Sequence, residues 1–174
     1  MIGYNRIPLS IFLGIGFFFL SPTSALSLGL GIPLVLLGEG IRTWASGYLE
    51  KNKVLQTLGP YSLTRNPLYL GNLLIGFGFA LIGNSLLGGM VLIGGLLIIY
   101  TATILEEESY LAQCFREAFN AYTRRVPRFL PRFAWPESGD FQWAQVRAHK
   151  ELNTWWWLIG GILLFSIKAG IGLR

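Results

Sequence analysis

The 174-residue chain is 52% hydrophobic and 13% charged, with a mean hydropathy of +0.50, where ordinary soluble domains carry roughly 25% charged residues. So few charges cannot cover a water-facing surface, and the chain reads as an integral membrane protein. One cysteine, Cys114, and one histidine, His149, exclude an intrachain disulfide, a cysteine cage and a histidine metal cluster within one chain, and with them di-iron chemistry.

Residues 7–20 (IPLSIFLGIGFFFL) are short for the ~20 residues that cross ~30 Å of hydrocarbon. The uncharged stretch SPTSALS lengthens them into a first span. A signal peptide is the competing reading, since Arg6 precedes the apolar run and Thr23-Ser24-Ala25 resembles a cleavage site. The second candidate, residues 26–48, is apolar apart from Glu39 and Arg42 and ends in Glu50-Lys51-Asn52-Lys53. Glu39 and Arg42 are three residues apart and can pair along one helix face. Charges inside a span mark either function or a snorkelling arginine with its partner. Residues 68–83 and 86–105 make a third and fourth span, joined by Gly83-Asn84-Ser85 in a tight helical hairpin. A long amphipathic region follows to about residue 126, with Leu111, Phe115, Phe119 and Tyr122 along one stripe. Pro127, Pro131 and Pro136 punctuate a linker before a fifth span at 154–173, where Trp155, Trp156 and Trp157 sit as an interfacial belt would.

The predicted fold is therefore all-α: a polytopic membrane protein of about five transmembrane helices, with a core at 1–131 and a linker plus additional helix at 132–174. The net charge of +5 then reports orientation. With five alternating spans, Arg6, Lys51, Lys53, Arg65, Arg116 and the basic residues from Arg124 to Lys150 share one face, whereas the loops at 21–27 and 83–86 hold no Lys or Arg. The positive-inside rule makes the rich face cytoplasmic, in keeping with a bacterial inner membrane, and nucleic acid is unnecessary as a partner. Gly29-Leu30-Gly31 and Gly76-Phe77-Gly78 follow no strand, so they read as helix contact points and not as nucleotide loops.

Two stretches on the basic face could carry chemistry. Pro67 suits a first helical turn and favours an extended Asn66, which makes Asn66 the expected N-cap of the third span. A helix N-terminus beside Arg65 can hold an anion such as a carboxylate or phosphate, or Arg65 can serve lipid phosphates. Glu106-Glu107-Glu108, in contrast, end an apolar helix, where neighbouring carboxylates repel and the macrodipole is unfavourable. Something cationic must compensate: Arg124, Arg125 or Lys53, or a cationic ligand. Cys114 reads as helix packing and His149 as a solvated linker residue.

Together these stretches resemble the isoprenylcysteine carboxyl methyltransferase family and its relatives among the phospholipid methyltransferases. The matching pieces are Gly59-Pro60-Tyr61, Arg65-Asn66-Pro67-Leu68-Tyr69-Leu70-Gly71, Glu107-Glu108 with Leu111 and Phe115, Tyr122, and Val126-Pro127-Arg128-Phe129-Leu130-Pro131, within residues 40–131. The resemblance implies a helical membrane enzyme that binds S-adenosylmethionine (S-adenosyl-L-methionine) at the cytoplasmic membrane surface without a Rossmann fold. Carried over by position, the cofactor contacts are Lys53, Val54, Leu55, Gln56, Tyr61, Asn66, Pro67, Leu68, Tyr69 and Glu107. Arg65 and Glu108 join them because the cofactor offers a carboxylate and cationic groups, while apolar and aromatic side chains can sandwich its adenine. The sequence departs from the eukaryotic members at Asn66, where they carry histidine, at Thr103, where they carry an arginine that engages the substrate carboxyl, and at Arg116 and Phe119, where glycine and tyrosine are usual.

The expected reaction is methyl transfer to a lipophilic small-molecule or lipid acceptor entering from the bilayer, with Glu39 and Arg42 orienting its polar head. It needs positioning and desolvation more than acid or base chemistry when the acceptor is already ionised, so no catalytic residue and no metal is expected. Two other readings remain open. An NADPH-dependent membrane reductase related to sterol reductases would want a basic pocket. A non-catalytic scaffold of the same fold would fill the pocket with side chains.

Overall fold

The computed structural model describes residues 16–19, 21–50 and 54–171. Most of the first candidate span and Lys53, an expected cofactor contact, lie outside the described residues. The described chain is helical, with no strands and one isolated bridge between Gly59 and Glu137. The elements are α1 (Ala25–Ser46), a 3-10 turn (Pro60–Ser62), α2 (Pro67–Gly83), α3 (Leu86–Arg125), α4 (Trp143–Ala148) and α5 (Glu151–Ile171). By length and composition α1 and α3 can cross a bilayer, and α2 is apolar over 17 residues. Among the described residues, two helices thus meet the requirement.

The helices predicted at 26–48, 68–83, 86–105 and 154–173 recur within a few residues, with two differences. The fourth span and the amphipathic region form the single 40-residue helix α3, broken only at Arg116, whose φ of 37° is non-helical. Arg116 is also where the sequence replaces a usual glycine, the residue that tolerates positive φ most readily. The short α4, in the stretch read as linker, has no periodic signal long enough to announce it.

The chain divides into two compact units. The first comprises residues 1–37, 73–99 and 156–174. Its core is Phe17, Val35, Ile82 and Phe165, flanked by Ile75 and Phe79. Ser24 and Ser27 cap the start of α1 reciprocally: the Ser27 amide donates to Ser24 Oγ at 3.2 Å and the Ser24 amide to Ser27 Oγ at 2.9 Å. The expected glycine contacts are real at Gly31 and Gly78. A Cβ on Gly31 would sit 2.3 Å from the Gly78 carbonyl oxygen, and one on Gly78 would sit 2.6 Å from Val35 Cγ2. Small residues at such crossings let backbones approach closely. Leu30, Leu86, Ile98, Trp156 and Trp157 are exposed, as a lipid-facing surface requires.

The second unit comprises residues 38–72 and 100–155. Phe119, Tyr122 and Val126 form its core with Leu55, Leu111 and Phe115 packed against them, so the amphipathic stripe of α3 buries as its spacing predicts. The segment after α3 folds back onto the 47–65 region. The Arg65 amide donates to the Pro127 carbonyl at 2.9 Å, the Arg132 amide to Leu63 at 3.0 Å, the Gly59 amide to Glu137 at 2.8 Å and the Gln142 amide to Gly47 at 2.9 Å. Gly59 has φ +59°, and a Cβ there would meet the Tyr48 ring at 2.6 Å. Only glycine lets the chain turn at this point.

Candidate functional site

The second unit encloses a cavity of about 590 Å³, within the usual range of small-molecule sites. Its walls come from the end of α1 and the loop after it, the 3-10 turn, the first turns of α2, the middle of α3, and the junction of α4 with α5. Of the expected cofactor contacts, Val54, Leu55, Gln56, Tyr61, Arg65, Asn66, Pro67, Leu68, Tyr69 and Glu107 all line it. Gln56 is also occupied locally. Its amide nitrogen donates to the Tyr48 carbonyl, and its Oε1 accepts from the Thr57 and Leu58 amides at 2.9 and 3.1 Å, which shapes the loop that forms one wall.

The start of α2 is built as the sequence suggests. Pro67 occupies the first position, and the Asn66 carbonyl accepts from the Leu70 amide at 3.1 Å. The Asn66 side chain bonds elsewhere, its Nδ2 donating to Glu108 Oε1 at 3.2 Å and to the Arg128 carbonyl at 2.9 Å. Glu108 is buried and pairs with Arg65 at 3.4 Å and with Arg128 at 3.0 Å. Its compensating cations are therefore Arg65 and Arg128. Arg125, one of the expected partners, pairs with Glu137 at 2.9 Å. Glu108 is turned into this network and is not among the residues that line the cavity, whereas Glu107 lines it and accepts from the Tyr69 hydroxyl at 2.8 Å. Adjacent on α3, the two carboxylates point to different surroundings.

Glu39 and Arg42 pair at 3.1 Å, as their spacing predicts. Glu39 is fully buried behind the wall, and Arg42 lines the cavity. Arg42 also pairs with Glu151 at 2.5 Å and donates to Asn72 Oδ1. It thereby ties α1, α2 and the start of α5 together. Tyr122 donates to the Tyr61 carbonyl at 2.7 Å and fixes the 3-10 turn against α3. Burial pushes the Tyr61 phenol far above its ordinary range, and Tyr122, Glu107 and Glu151 push it further, so it remains a neutral donor.

Four of the cavity-lining residues carry a buried polar atom with no hydrogen-bond partner among the described residues, Tyr61 Oη, Arg65 Nε, His149 Nδ1 and Glu151 Oε1, the last of them met by the Arg42 ion pair. Leaving such groups unmade costs about 1–3 kcal/mol each. Two expectations are corrected here. His149 is not a solvated linker residue, because the chain returns after Asp140 and brings the α4–α5 junction to the cavity. Cys114 is exposed and lines the cavity, so it is not a helix-packing residue. Neither placement has a local sequence signal, since both depend on the return of residues 127–150.

Apolar helices able to span a bilayer, and a cavity held among helices with no strand among the described residues, define a helical membrane protein. The chain belongs to the phospholipid methyltransferase family, whose model matches residues 9–118. It is 42% identical over 112 residues to the cobalt-zinc-cadmium resistance protein CzcN of Cupriavidus metallidurans, covering 63% of this chain and 50% of that protein. It is 34% identical over 107 residues to the nickel-cobalt-cadmium resistance protein NccN of Alcaligenes xylosoxydans xylosoxydans, covering 60% and 48%. The chain thus spans about half the length of these curated relatives. No solved structure matches it significantly.

Proposed function

We propose that the chain is an integral membrane methyltransferase that holds S-adenosylmethionine in the cavity of its second unit and methylates a lipophilic acceptor. The observation that carries this reading is the cavity of about 590 Å³ whose lining brings together Arg65, Asn66, Tyr69 and Glu107. The donor set fits the cofactor. Arg65 Nε and the first amides of α2, at Leu68 and Tyr69, offer donors to a carboxylate. Glu107 and the Tyr69 ring offer a carboxylate and an aromatic face to cationic groups. Leu55, Leu111 and Phe115 supply an apolar bed for a purine. Lys53 and Glu108 belong to the same proposed site, Glu108 by holding Arg65 and Asn66 in place.

When bound, the cofactor supplies an electrophilic methyl group on a sulfonium. Arg42, held by Glu39 and Glu151, orients the polar head of the acceptor, and the apolar wall excludes water from the reacting atoms. This arrangement speaks against a reductase. Arg42 and Arg65 are already neutralised by Glu39, Glu151 and Glu108, and Glu50 and Glu107 add negative charge to a wall that NADPH phosphates would need to be basic. An open cavity likewise speaks against a scaffold. We further place the site on the cytoplasmic side of a bacterial inner membrane, with α1, α2, α3, α5 and the segment before α1 as spans.

The relatives' names link them to cobalt, zinc, cadmium and nickel resistance. Among the described residues no group of three or more His, Cys, Asp or Glu is placed to hold an ion, so we assign any part in metal tolerance to methyl transfer. Calorimetry of the purified chain with S-adenosylmethionine tests the reading. Binding in the wild type that weakens about tenfold in Glu107→Ala supports it; no binding in the wild type, or equal binding in the variant, overturns it.

A further inference from the structure

We infer that the segment between α3 and α4 is a lipid-docking strap: Leu130, Phe133 and Trp135 seat among the headgroups of the bilayer, and the arginines beside them select anionic phospholipid. This goes beyond the methyltransferase reading and rests only on the membrane placement of the helices given with it. Residues 124–135 (RRVPRFLPRFAW) hold four arginines and no acidic residue. Leu130, Phe133 and Trp135 are 76%, 109% and 93% exposed. The Ala134 amide donates to the Arg132 carbonyl at 3.0 Å, which closes a three-residue turn with Phe133 at its tip.

The strap is held firmly from behind. Arg132 donates from its amide to the Leu63 carbonyl at 3.0 Å and from Nε to the Ser62 carbonyl at 2.8 Å. The Glu137 amide donates to Ser62 Oγ at 2.9 Å, and Glu137 Oε1 accepts from Arg125 and Arg132 at 2.9 and 3.1 Å. Phe133 and Trp135 are thus displayed by a well-bonded segment. Large apolar side chains presented together in this way mark a surface that another apolar phase covers.

Three observations make that cover lipid. Leu63 lies four residues before Pro67, where α2 begins, so Arg132 is within roughly 15–20 Å of the start of that apolar helix, near the headgroup layer that flanks the hydrocarbon. The backbone from Pro127 to Pro136 forms neither helix nor strand, so its peptide groups need water and are excluded from the hydrocarbon itself. That leaves the interface, where Trp, Phe and Leu on one side and arginines on the other are retained. Finally, Arg125 and Arg132 share the one carboxylate of Glu137, which leaves a surplus positive charge beside Phe133 and Trp135 for an anionic leaflet to attract. A second copy docked on the same face by two-fold symmetry would bring that same charge against itself.

Ala134, exposed between Phe133 and Trp135, is the reporter position. In the full chain carrying Cys114→Ser and Ala134→Cys, a nitroxide on residue 134 is read for collisions with oxygen, which concentrates in lipid, and with a water-soluble nickel chelate. The chain is held in nanodiscs of phosphatidylcholine alone or of an equimolar mixture with phosphatidylglycerol. In the anionic discs oxygen collisions should outweigh nickel collisions. The docked-to-undocked ratio, from the two components of the spectrum, should be about fivefold higher there than in phosphatidylcholine, the effect of one surplus arginine at such a surface, and should fall with added salt. Adding Phe133→Ser and Trp135→Ser should open the label to nickel in both lipids while the melting temperature holds, since both side chains are exposed. A label seated equally in both lipids, a label open to nickel in both, or spin–spin broadening between copies whatever the lipid each overturns the inference. Release of the chain from membranes by alkaline carbonate overturns instead the membrane placement on which it rests.

Discussion

Replacing Glu108 by glutamine keeps the side-chain shape and removes one charge from the network that supports the start of α2. The partner left behind is Arg65, whose side chain is 11% exposed, while Arg128, 53% exposed, is taken up by water and contributes little. Stranding one member of a buried ion pair costs about 3–5 kcal/mol. The 3.4 Å separation and the remaining exposure reduce this to about 2–3 kcal/mol. For a chain of this size 1 kcal/mol shifts the melting temperature by about 2–4 °C, so Glu108→Gln should melt about 5–10 °C lower in a tryptophan-fluorescence scan of detergent-solubilised protein. Glu107→Gln, on an exposed residue bonded to Tyr69, should melt within about 2 °C of wild type, because surface changes stay within about 0.5 kcal/mol. It should instead weaken S-adenosylmethionine binding about tenfold, or about 1.4 kcal/mol. A stable Glu108→Gln that loses the cofactor, with an unstable Glu107→Gln that keeps it, would refute the division of roles.

Other substitutions probe the helix crossing, the 3-10 turn and the break in α3. Gly78→Ala forces a Cβ to within 2.6 Å of Val35 Cγ2 and 2.8 Å of the Gly31 carbonyl, and should cost about 1–3 kcal/mol by thermal scan. Gly29→Ala, with nothing within 4 Å, serves as the control and should lose no stability, gaining up to about 1 kcal/mol from helix propensity. Tyr122→Phe removes the donor to the Tyr61 carbonyl and should cost about 1–2 kcal/mol together with a measurable loss of cofactor affinity by calorimetry. Arg116→Gly places at φ 37° the residue suited to it, and should raise the melting temperature by the equivalent of about 1 kcal/mol; a lower value would show that helix propensity dominates there.

What the sequence discloses of the fold and the cavity divides along physical lines. Helices are legible because hydrophobic runs and caps are local: Asn66 and Pro67 mark a start, and Leu111, Phe115 and Tyr122 mark a buried stripe. Most cavity residues between Val54 and Tyr69 are legible through the family resemblance, and the Glu39–Arg42 pair through its spacing. Contacts made by the returning segment are not. Arg128 as the partner of Glu108, Glu151 as the partner of Arg42, and His149 on the cavity wall each need residues distant in sequence to meet, and neither periodicity nor charge counting records that. Lys150 is instructive, since a positive φ at lysine leaves no trace in composition but determines where its two neighbours point.

Whether S-adenosylmethionine occupies the cavity is decided by ultraviolet cross-linking of the tritiated cofactor to the purified chain, followed by peptide mapping. Label is expected within residues 54–69 and 107–122, displaced by excess unlabelled cofactor and strongly reduced in Glu107→Ala. Label confined to other segments, or undiminished by competition, would contradict the assignment of the cavity to the cofactor.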